Sequence, residues 1–334
     1  MKILGFNGGY GFTKAVHQKK QVVFPSVIGS PQQMTYHGDL IHNGTGIQSV
    51  EDIRLVTPEG TRFMGQMALS QSSFVWNFQN RKRTDSGVIP LLFSGACSEL
   101  DVSGQVNVVT GLPIQWYGRD KEALVEQLRG THAVNRVGTK RQKVVVLEVV
   151  VIPEPLGTIY SLLLSQNGKI KTRRKKMTDH RVAVIDIGMH TTNFGLVEGM
   201  QYNERSSLSI ETGMSKVLGD VAKAVEERLF LPLNLHEADK ALRAGQVRVQ
   251  GKPRKIASLV NPILQNVSTE LLSITSEIWG DGTKLDEVII TGGGANPLGS
   301  YFFESFPQSE IIENSQMANA QGYYNYGMLK WSKA

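Results

Sequence analysis

The sequence predicts an α/β fold built from two similar halves, and three observations carry that prediction. Apolar runs of strand length alternate with segments of helical period. A strand–turn–strand pattern with matching polar residues occurs twice, about half a chain apart. A strand-like run, Glu287-Val288-Ile289-Ile290-Thr291, leads directly into Gly292, Gly293 and Gly294.

The clearest copy of the repeated pattern is Val182 to Glu198. Val182-Ala183-Val184-Ile185 suits a buried strand and ends at Asp186, with Gly188 two residues on; Thr191, Thr192 and Asn193 then lead into Phe194-Gly195-Leu196-Val197. A turn of this composition can bring backbone N–H groups and hydroxyls to a phosphate, because its glycine lets the chain approach closely. Asp186 at the strand end can hold a hydrated Mg²⁺ beside that phosphate. One such pattern also fits an ordinary hairpin; the second copy gives it weight. Lys2-Ile3-Leu4-Gly5-Phe6 runs into Asn7-Gly8-Gly9-Tyr10-Gly11-Phe12-Thr13-Lys14, which puts Asn7 on Asp186, Gly9 on Gly188, Thr13 on Thr192 and Lys14 on Asn193.

Size and composition agree with this division. The chain has 334 residues, enough for two domains, and its 40% hydrophobic and 20% charged residues are an ordinary globular mixture. The single cysteine, Cys97, excludes an intramolecular disulfide and a Cys-rich metal site, and its apolar surroundings predict a buried structural thiol. Val144 to Ile152 is the longest apolar run; Glu148 breaks it, and it is too short to span a bilayer. Met1 leads straight into a strand without a targeting pattern, so a cytoplasmic protein with no membrane partner is expected. Part of the +6 net charge lies in Lys169, Lys171, Arg173, Arg174, Lys175 and Lys176. That run could attract nucleic acid or an acidic partner surface, and is more often a solvated turn. It has no interleaved aromatics, so direct sequence-specific nucleic-acid binding is not expected.

Between the hairpins, residues 28 to 80 are rich in Gly, Gln and Ser and predict a small, mostly β subdomain. Arg81 to Ser86 lead into a helix with Val88, Leu91, Leu92, Ala96 and Leu100 near helical spacing. Val106 to Thr110 predicts a strand and Arg119 to Arg129 an amphipathic helix ended by Gly130. Gln142 to Ile152 predicts a further strand, followed by Pro153-Glu154-Pro155 and a helix. A carboxylate fixed at a strand tip, as Glu154 would be, could orient or deprotonate a water attacking a γ-phosphate; an acid favoured at a helix start by the helix dipole reads the same way. In the second half, a helix follows Gly213 with Met214, Val217, Leu218, Val221, Val225 and Leu229 on one face. A short helix, His236 to Ala244, precedes a hairpin turning at Gly251. A long helix then runs from Leu259 to Trp279.

Taken in this order, the two hairpins, the Glu154 connection, the triple glycine and the closing Ala318 to Gly327 segment resemble the actin-like ATPase superfamily. The resemblance is most specific with its plasmid-segregation, ParM-like branch, whose first loop reads D-x-G-Y-G-x-T-K. It implies two ribonuclease-H-like α/β domains, each with a small inserted subdomain, and a nucleotide in the cleft between them. The expected boundaries are 1–160 with an insertion at about 26–81, and 161–334 with an insertion at about 231–257. The last helix, about 317–330, is expected to pack back on the first domain.

The resemblance also implies ATP with Mg²⁺ as ligands, with GTP possible. It favours the catalytic reading of Glu154, with Asp186 beside it, and metal contact from Asp186 through water and, weakly, from Asn7. Nucleotide contacts are expected from Asn7, Gly9, Tyr10, Gly11, Thr13 and Lys14, and from Gly188, His190, Thr191, Thr192 and Asn193. Glu211 and Gly213 are expected at the nucleoside, and Gly292, Gly293, Gly294 and Asn296 at the adenine and α-phosphate. The function implied is an ATP-dependent filament that segregates plasmid or other DNA through a DNA-binding adaptor protein, with hydrolysis driving disassembly. The alternatives are a nucleotide-binding scaffold with little hydrolysis and a small-molecule kinase. One departure bears on the choice: Asn7 stands where most members of the family have Asp, and an amide brings no charge to a Mg²⁺ shell.

Overall fold

A computed structural model describes residues 1–30, 53–57, 60–76, 87–135, 137 and 142–332. The chain forms two compact units. The first comprises Met1–Leu112, Trp116–Lys171 and Asn319–Ala334; the second comprises Pro113–Gln115 and Thr172–Ala318. The first thus continues past the expected division at residue 160. Lys171 fastens its last turn, with its N–H on Leu163 O (2.8 Å) and its Nζ on Ser161 O (2.7 Å).

The first unit is built on a six-stranded sheet. Its strands lie in the order Lys20–Pro25, Phe12–His17, Lys2–Gly8, Gly104–Leu112, Lys143–Pro153, Gly130–Ala133. Lys2–Gly8, Gly104–Leu112 and Lys143–Pro153 run parallel, and the flanking strands antiparallel. Parallel strands are buried on both faces, which explains their near-continuous Val and Leu content. On one face Leu4, Phe6, Val106, Val108 and Leu112 pack with Leu92, Phe93, Ala96 and Cys97 of helix Val88–Glu99. Cys97 is fully buried there, and that burial pushes its thiol far above the ordinary range, as a structural thiol requires. On the other face Tyr323 of the terminal helix Ala318–Trp331 is buried against Val109 and Ile152. A Cβ on Gly5 would collide with Ala320 O, and one on Gly322 with Gly157 O in helix Glu154–Leu163; these glycines let the terminal helix lie against sheet and helix. The register of Lys143–Pro153 slips between Val146 and Glu148, leaving Leu147 46% exposed and the Glu148 carboxylate accepting from Trp331 Nε1 (2.9 Å).

The mostly β subdomain predicted between the hairpins is present as far as its residues are described. Ile53–Thr57, Gly60–Met64, Ile28–Gly29 and Val75–Trp76 form a four-stranded sheet, with helix Gly65–Gln71 alongside. The Arg81 to Ser86 lead-in lies outside the described residues. The helix expected from Arg119 begins earlier, at Ile114, and ends at Leu128. Gly118 masks this start because glycine is a poor helix former.

The second unit repeats the plan. Its sheet runs Gln201–Tyr202, Thr192–Glu198, Arg181–Ile187, Glu287–Thr291, Ser309–Ile311, with Leu208–Ile210 also paired to Thr192–Glu198. Helices Met214–Leu229 and Ala257–Trp279 cover one face, burying Met214, Val217, Leu218, Val221 and Val225 from the first and Val260, Leu264, Val267 and Leu271 from the second. The small inserted elements are helix Leu235–Ala244 and hairpin Gln246–Val249/Lys252–Lys255. The helix starts on a capping box, Asn234 with Glu237, and ends at Gly245 in the left-handed conformation. The basic run forms a 3₁₀ turn, Thr172–Thr178, and is only partly solvated, since Arg174 bridges Glu287 (3.2 Å) and Glu310 (2.6 Å). Among the described residues no helix is long and apolar enough to cross a membrane.

Helix Met214–Leu229 ends on Phe230, which is left-handed (φ 54°) and 89% exposed. A bulky residue with this backbone is strained, and its exposed ring gains little from packing. Phe230→Gly is therefore expected to stabilise the protein by about 1 kcal/mol, read as a rise in thermal midpoint.

Candidate phosphate hairpins and an adjoining cavity

The two hairpins share one register. Asn7 pairs with Lys14 and Gly8 with Thr13 in the first; Asp186 pairs with Asn193 and Ile187 with Thr192 in the second. Each polar pair thus sits at the end of a central strand, and Asn7 and Asp186 are 5% and 4% exposed.

In the first unit a Cβ on Gly9 would stand 3.3 Å from both Asn7 Oδ1 and Lys14 Nζ and 2.9 Å from Phe12 O, so these groups converge around a glycine with no room for a side chain. Asn7 Oδ1 is buried without a hydrogen-bond partner. The turn is fastened from below by Ser26. Its N–H donates to Gly11 O (2.9 Å), its Oγ donates to Gly9 O (2.6 Å), and its Oγ shares a 2.9 Å hydrogen bond with Thr13 Oγ1. Thr13, expected at the ligand, is fully buried and spends its hydroxyl on this clamp. Tyr10 packs edge-on to Trp116, with ring centroids 5.7 Å apart. Glu154 lies at the same edge of the sheet: Pro153 is paired with Leu112, so helix Glu154–Leu163 begins where the neighbouring strand ends. Glu154 is 8% exposed.

In the second unit the turn after Asp186 closes through Gly188 N–H to Thr191 O (2.9 Å). The next helix does not leave its N-terminus open to an anion. The N–H groups of Met214 and Ser215 donate to Gly188 O (2.9 Å) and Met189 O (2.7 Å). Gly213 allows this approach, because a Cβ there would lie 2.8 Å from both carbonyl oxygens. Thr192 Oγ1 donates to Thr212 O (2.6 Å), and Asn193 Oδ1 accepts from Ser209 Oγ (2.5 Å) and Ile114 N–H (3.2 Å). Thr192 and Asn193, both expected at the ligand, therefore position the turn and the Pro113–Gln115 segment. Thr191 is buried, His190 half-buried and Glu211 exposed at the entrance to the helix. Glu270 ties that entrance down, accepting from Thr212 Oγ1 (2.8 Å) and Lys216 Nζ (2.6 Å); the Lys216 hydrogen bond holds its carboxyl below the ordinary range.

The triple glycine is level with Asp186, because Thr291 is paired with it across parallel strands. Gly292 has φ 87°, and a Cβ there would run into Ile187 O and the Asp186 carboxylate. Gly294 N–H donates to Ile187 O (2.9 Å), while Gly293 faces open space. Asn296 and Pro297, next along the chain, line a cavity of about 530 Å³ with Asp239, Arg243, Val260 and Asn261 among its other walls. Asp239 is 8% exposed and is held by Arg243 Nε at 3.0 and 2.9 Å. This volume suits a nucleobase-sized ligand. Sequence reading had singled out only Asn296 here.

Ser26 was the other omission; a serine after a strand-ending proline gives no signal by itself. Ser26→Ala leaves Gly9 O and Thr13 Oγ1 without a buried partner. It is expected to lower stability by about 2 kcal/mol in urea titration.

Comparison with known proteins bears on both units. The family model for the N-terminal domain of actin-like proteins matches residues 5–157. The model for the C-terminal part of the archaeal actin homologue MreB-like family matches residues 184–304. An archaeal actin homolog of Thermoplasma volcanium is 25% identical over 146 residues, which span 42% of this chain and 44% of that protein's length. The crystal structure of Ta0583, an archaeal actin homolog, superposes with a TM-score of 0.79 at 20% identity, over 97% of this chain and 98% of its own. The same homolog in complex with ADP superposes with a TM-score of 0.78 at 20% identity, over 97% of this chain and 98% of its own. A 15-stranded ParM filament from Clostridium botulinum gives 0.78 at 21% identity over 98% of each chain. At such identities the superpositions establish the fold. The family models, one on each unit and together spanning most of the chain, go further: this chain belongs to the actin-like proteins.

Proposed function

We propose that this protein is an ATP-binding and ATP-hydrolysing member of the ParM-like branch, which assembles into filaments and moves plasmid or other DNA through a DNA-bound adaptor. The observation that carries the reading is the repeated hairpin, with Asn7 against Lys14 and Asp186 against Asn193 in one register. Each hairpin offers its turn to a nucleotide phosphate. The base occupies the 530 Å³ cavity beside Asn296, and Glu211 accepts from the ribose. ADP in the archaeal homolog and filament assembly in the Clostridium botulinum ParM are properties of those proteins; they support the same reading here.

The donor set suits Mg²⁺. Among the described residues no three His, Cys, Asp or Glu converge on one point. Mg²⁺ needs no such cage beside phosphates, since one or two protein oxygens and water complete its shell. Asp186, through water, and the orphaned Asn7 Oδ1 would hold it, and the ion would neutralise charge on the phosphates. Glu154, buried at the strand tip, orients the attacking water and accepts its proton. A neutral amide at position 7 weakens metal binding and slows turnover, which is also what favours a second reading, a scaffold that binds nucleotide with little hydrolysis.

Right-angle light scattering with phosphate release followed in parallel tests the proposal. With Mg-ATP, scattering is expected to rise above a critical concentration and to decay as phosphate appears. A rise without decay supports the scaffold, and no rise at any concentration overturns assembly. Asn7→Asp is expected to raise Mg²⁺ affinity and phosphate release by about tenfold, or ~1.4 kcal/mol. Ala257→Trp, which fills the cavity, should lower the affinity for a fluorescent ATP analogue by at least about tenfold in an equilibrium titration. Unchanged affinity would remove the base from that cavity.

A further inference from the structure

Charge in the second unit is segregated along the sequence. From Lys240 to Thr269 there are six cationic residues and no acid; from Glu270 to Ala318 there are eight acids and one lysine. The cationic stretch contains hairpin Gln246–Val249/Lys252–Lys255. Arg248, Lys252, Arg254 and Lys255 are all exposed there, and none has an ion-pair partner among the described residues. Helix Ala257–Trp279 begins immediately after this hairpin and, at 23 residues, spans roughly 35 Å. Its other end carries Glu277 in the last turn and Asp281 just beyond, both exposed. Hydrogen bonds from Thr283 N–H (3.1 Å) and Oγ1 (2.8 Å) fix the Asp281 side chain. Glu304 is exposed on the neighbouring segment, which Gln308 Nε2 ties to Gly282 O (3.0 Å).

This arrangement does not serve the helix. Cations at a helix N-terminus and anions at its C-terminus both oppose the backbone dipole, so each placement costs local stability. The helix has no acid in its first turn and no base in its last to offset them. Local pairing absorbs only part of the acidity: Arg174 bridges Glu287 and Glu310, and Lys284 acts on Asp281, but Glu277 and Glu304 have no ion-pair partner among the described residues. What the arrangement does provide is two complementary surfaces at opposite ends of one rigid rod. When complementary patches lie at different places on one chain, the contact is head-to-tail and propagates without closing.

We infer that the Arg248–Lys255 hairpin of one copy docks on the Glu277–Asp281–Glu304 surface of the next copy, forming the longitudinal contact of the assembly. The inference rests on the self-assembly reading and adds the surfaces and their polarity. Opposite charges steer the encounter and fix its direction, while like ends repel.

The test uses two charge reversals and their mixture, assayed by sedimentation with Mg-ATP. Arg248→Glu/Lys252→Glu/Arg254→Glu makes both ends acidic, and Glu277→Lys/Asp281→Lys makes both ends basic. Each alone is expected to raise the critical concentration at least tenfold, with unchanged circular dichroism. Mixed in equal amounts, the two should assemble again, because every acidic end now meets a basic one. Lys169→Glu/Lys175→Glu/Lys176→Glu changes net charge as much as the hairpin reversal and should leave assembly intact. If the reversed variants pellet as the parent does, or the mixture fails to recover, the contact is overturned. A parent protein that never pellets overturns the assembly reading instead.

Discussion

The second hairpin depends on how closely backbone can pack around residues 187 to 190. Gly213 presses its main chain on Gly188 and Met189, while Gly292 and Gly294 press theirs on Ile187. The segments are far apart in sequence, and each contributes a glycine or a backbone donor to the same few carbonyls: Met214 and Ser215 N–H on one side, Gly294 N–H on the other. Buried carbonyls must be satisfied, and here main chain satisfies them without side chains intervening. Asp186 is consequently boxed in by backbone, and its position is set by the fold more than by its own rotamer.

The same plan in the first unit is fastened differently. No triple glycine closes on Asn7; Ser26 reaches under the turn and holds Gly9, Gly11 and Thr13 at once. A buried carboxylate demands strong compensation, whereas a buried amide demands only hydrogen bonds. The duplicated frame therefore carries one carboxyl and one amide centre, and the amide keeps an unpaired acceptor. That asymmetry separates two otherwise matching halves chemically.

Much of this was legible in the sequence because it is local. Apolar runs ending in Asn7 or Asp186, followed by glycine, mark strand ends and turns wherever they occur. Pairing Asn7 with Asp186, and Lys14 with Asn193, matches the observed register. What was hidden is non-local. The side chains of Thr13, Thr192 and Asn193 carried the right signal for ligand contact, yet their partners are Ser26, Thr212 and Ser209, which no spacing rule joins to them. The cavity beside Asn296 draws its walls from a short helix, the start of a long one and the glycine loop, so no single stretch announces it. The early start of the helix at Ile114 was obscured by Gly118, where local propensity and tertiary context disagree.

The terminal helix has a consequence for synthesis. Gly5, Gly111 and Gly157 are kept bare to receive Ala320, Tyr323 and Asn319, residues that leave the ribosome after the whole second unit. Until then one face of the first sheet has only helix Glu154–Leu163 as part of its cover, whereas every strand and helix of the second unit is already available. Vectorial synthesis thus reverses the order in which the two units can be completed: the half that is begun first is finished last, and its open apolar face is the surface a nascent-chain chaperone would meet.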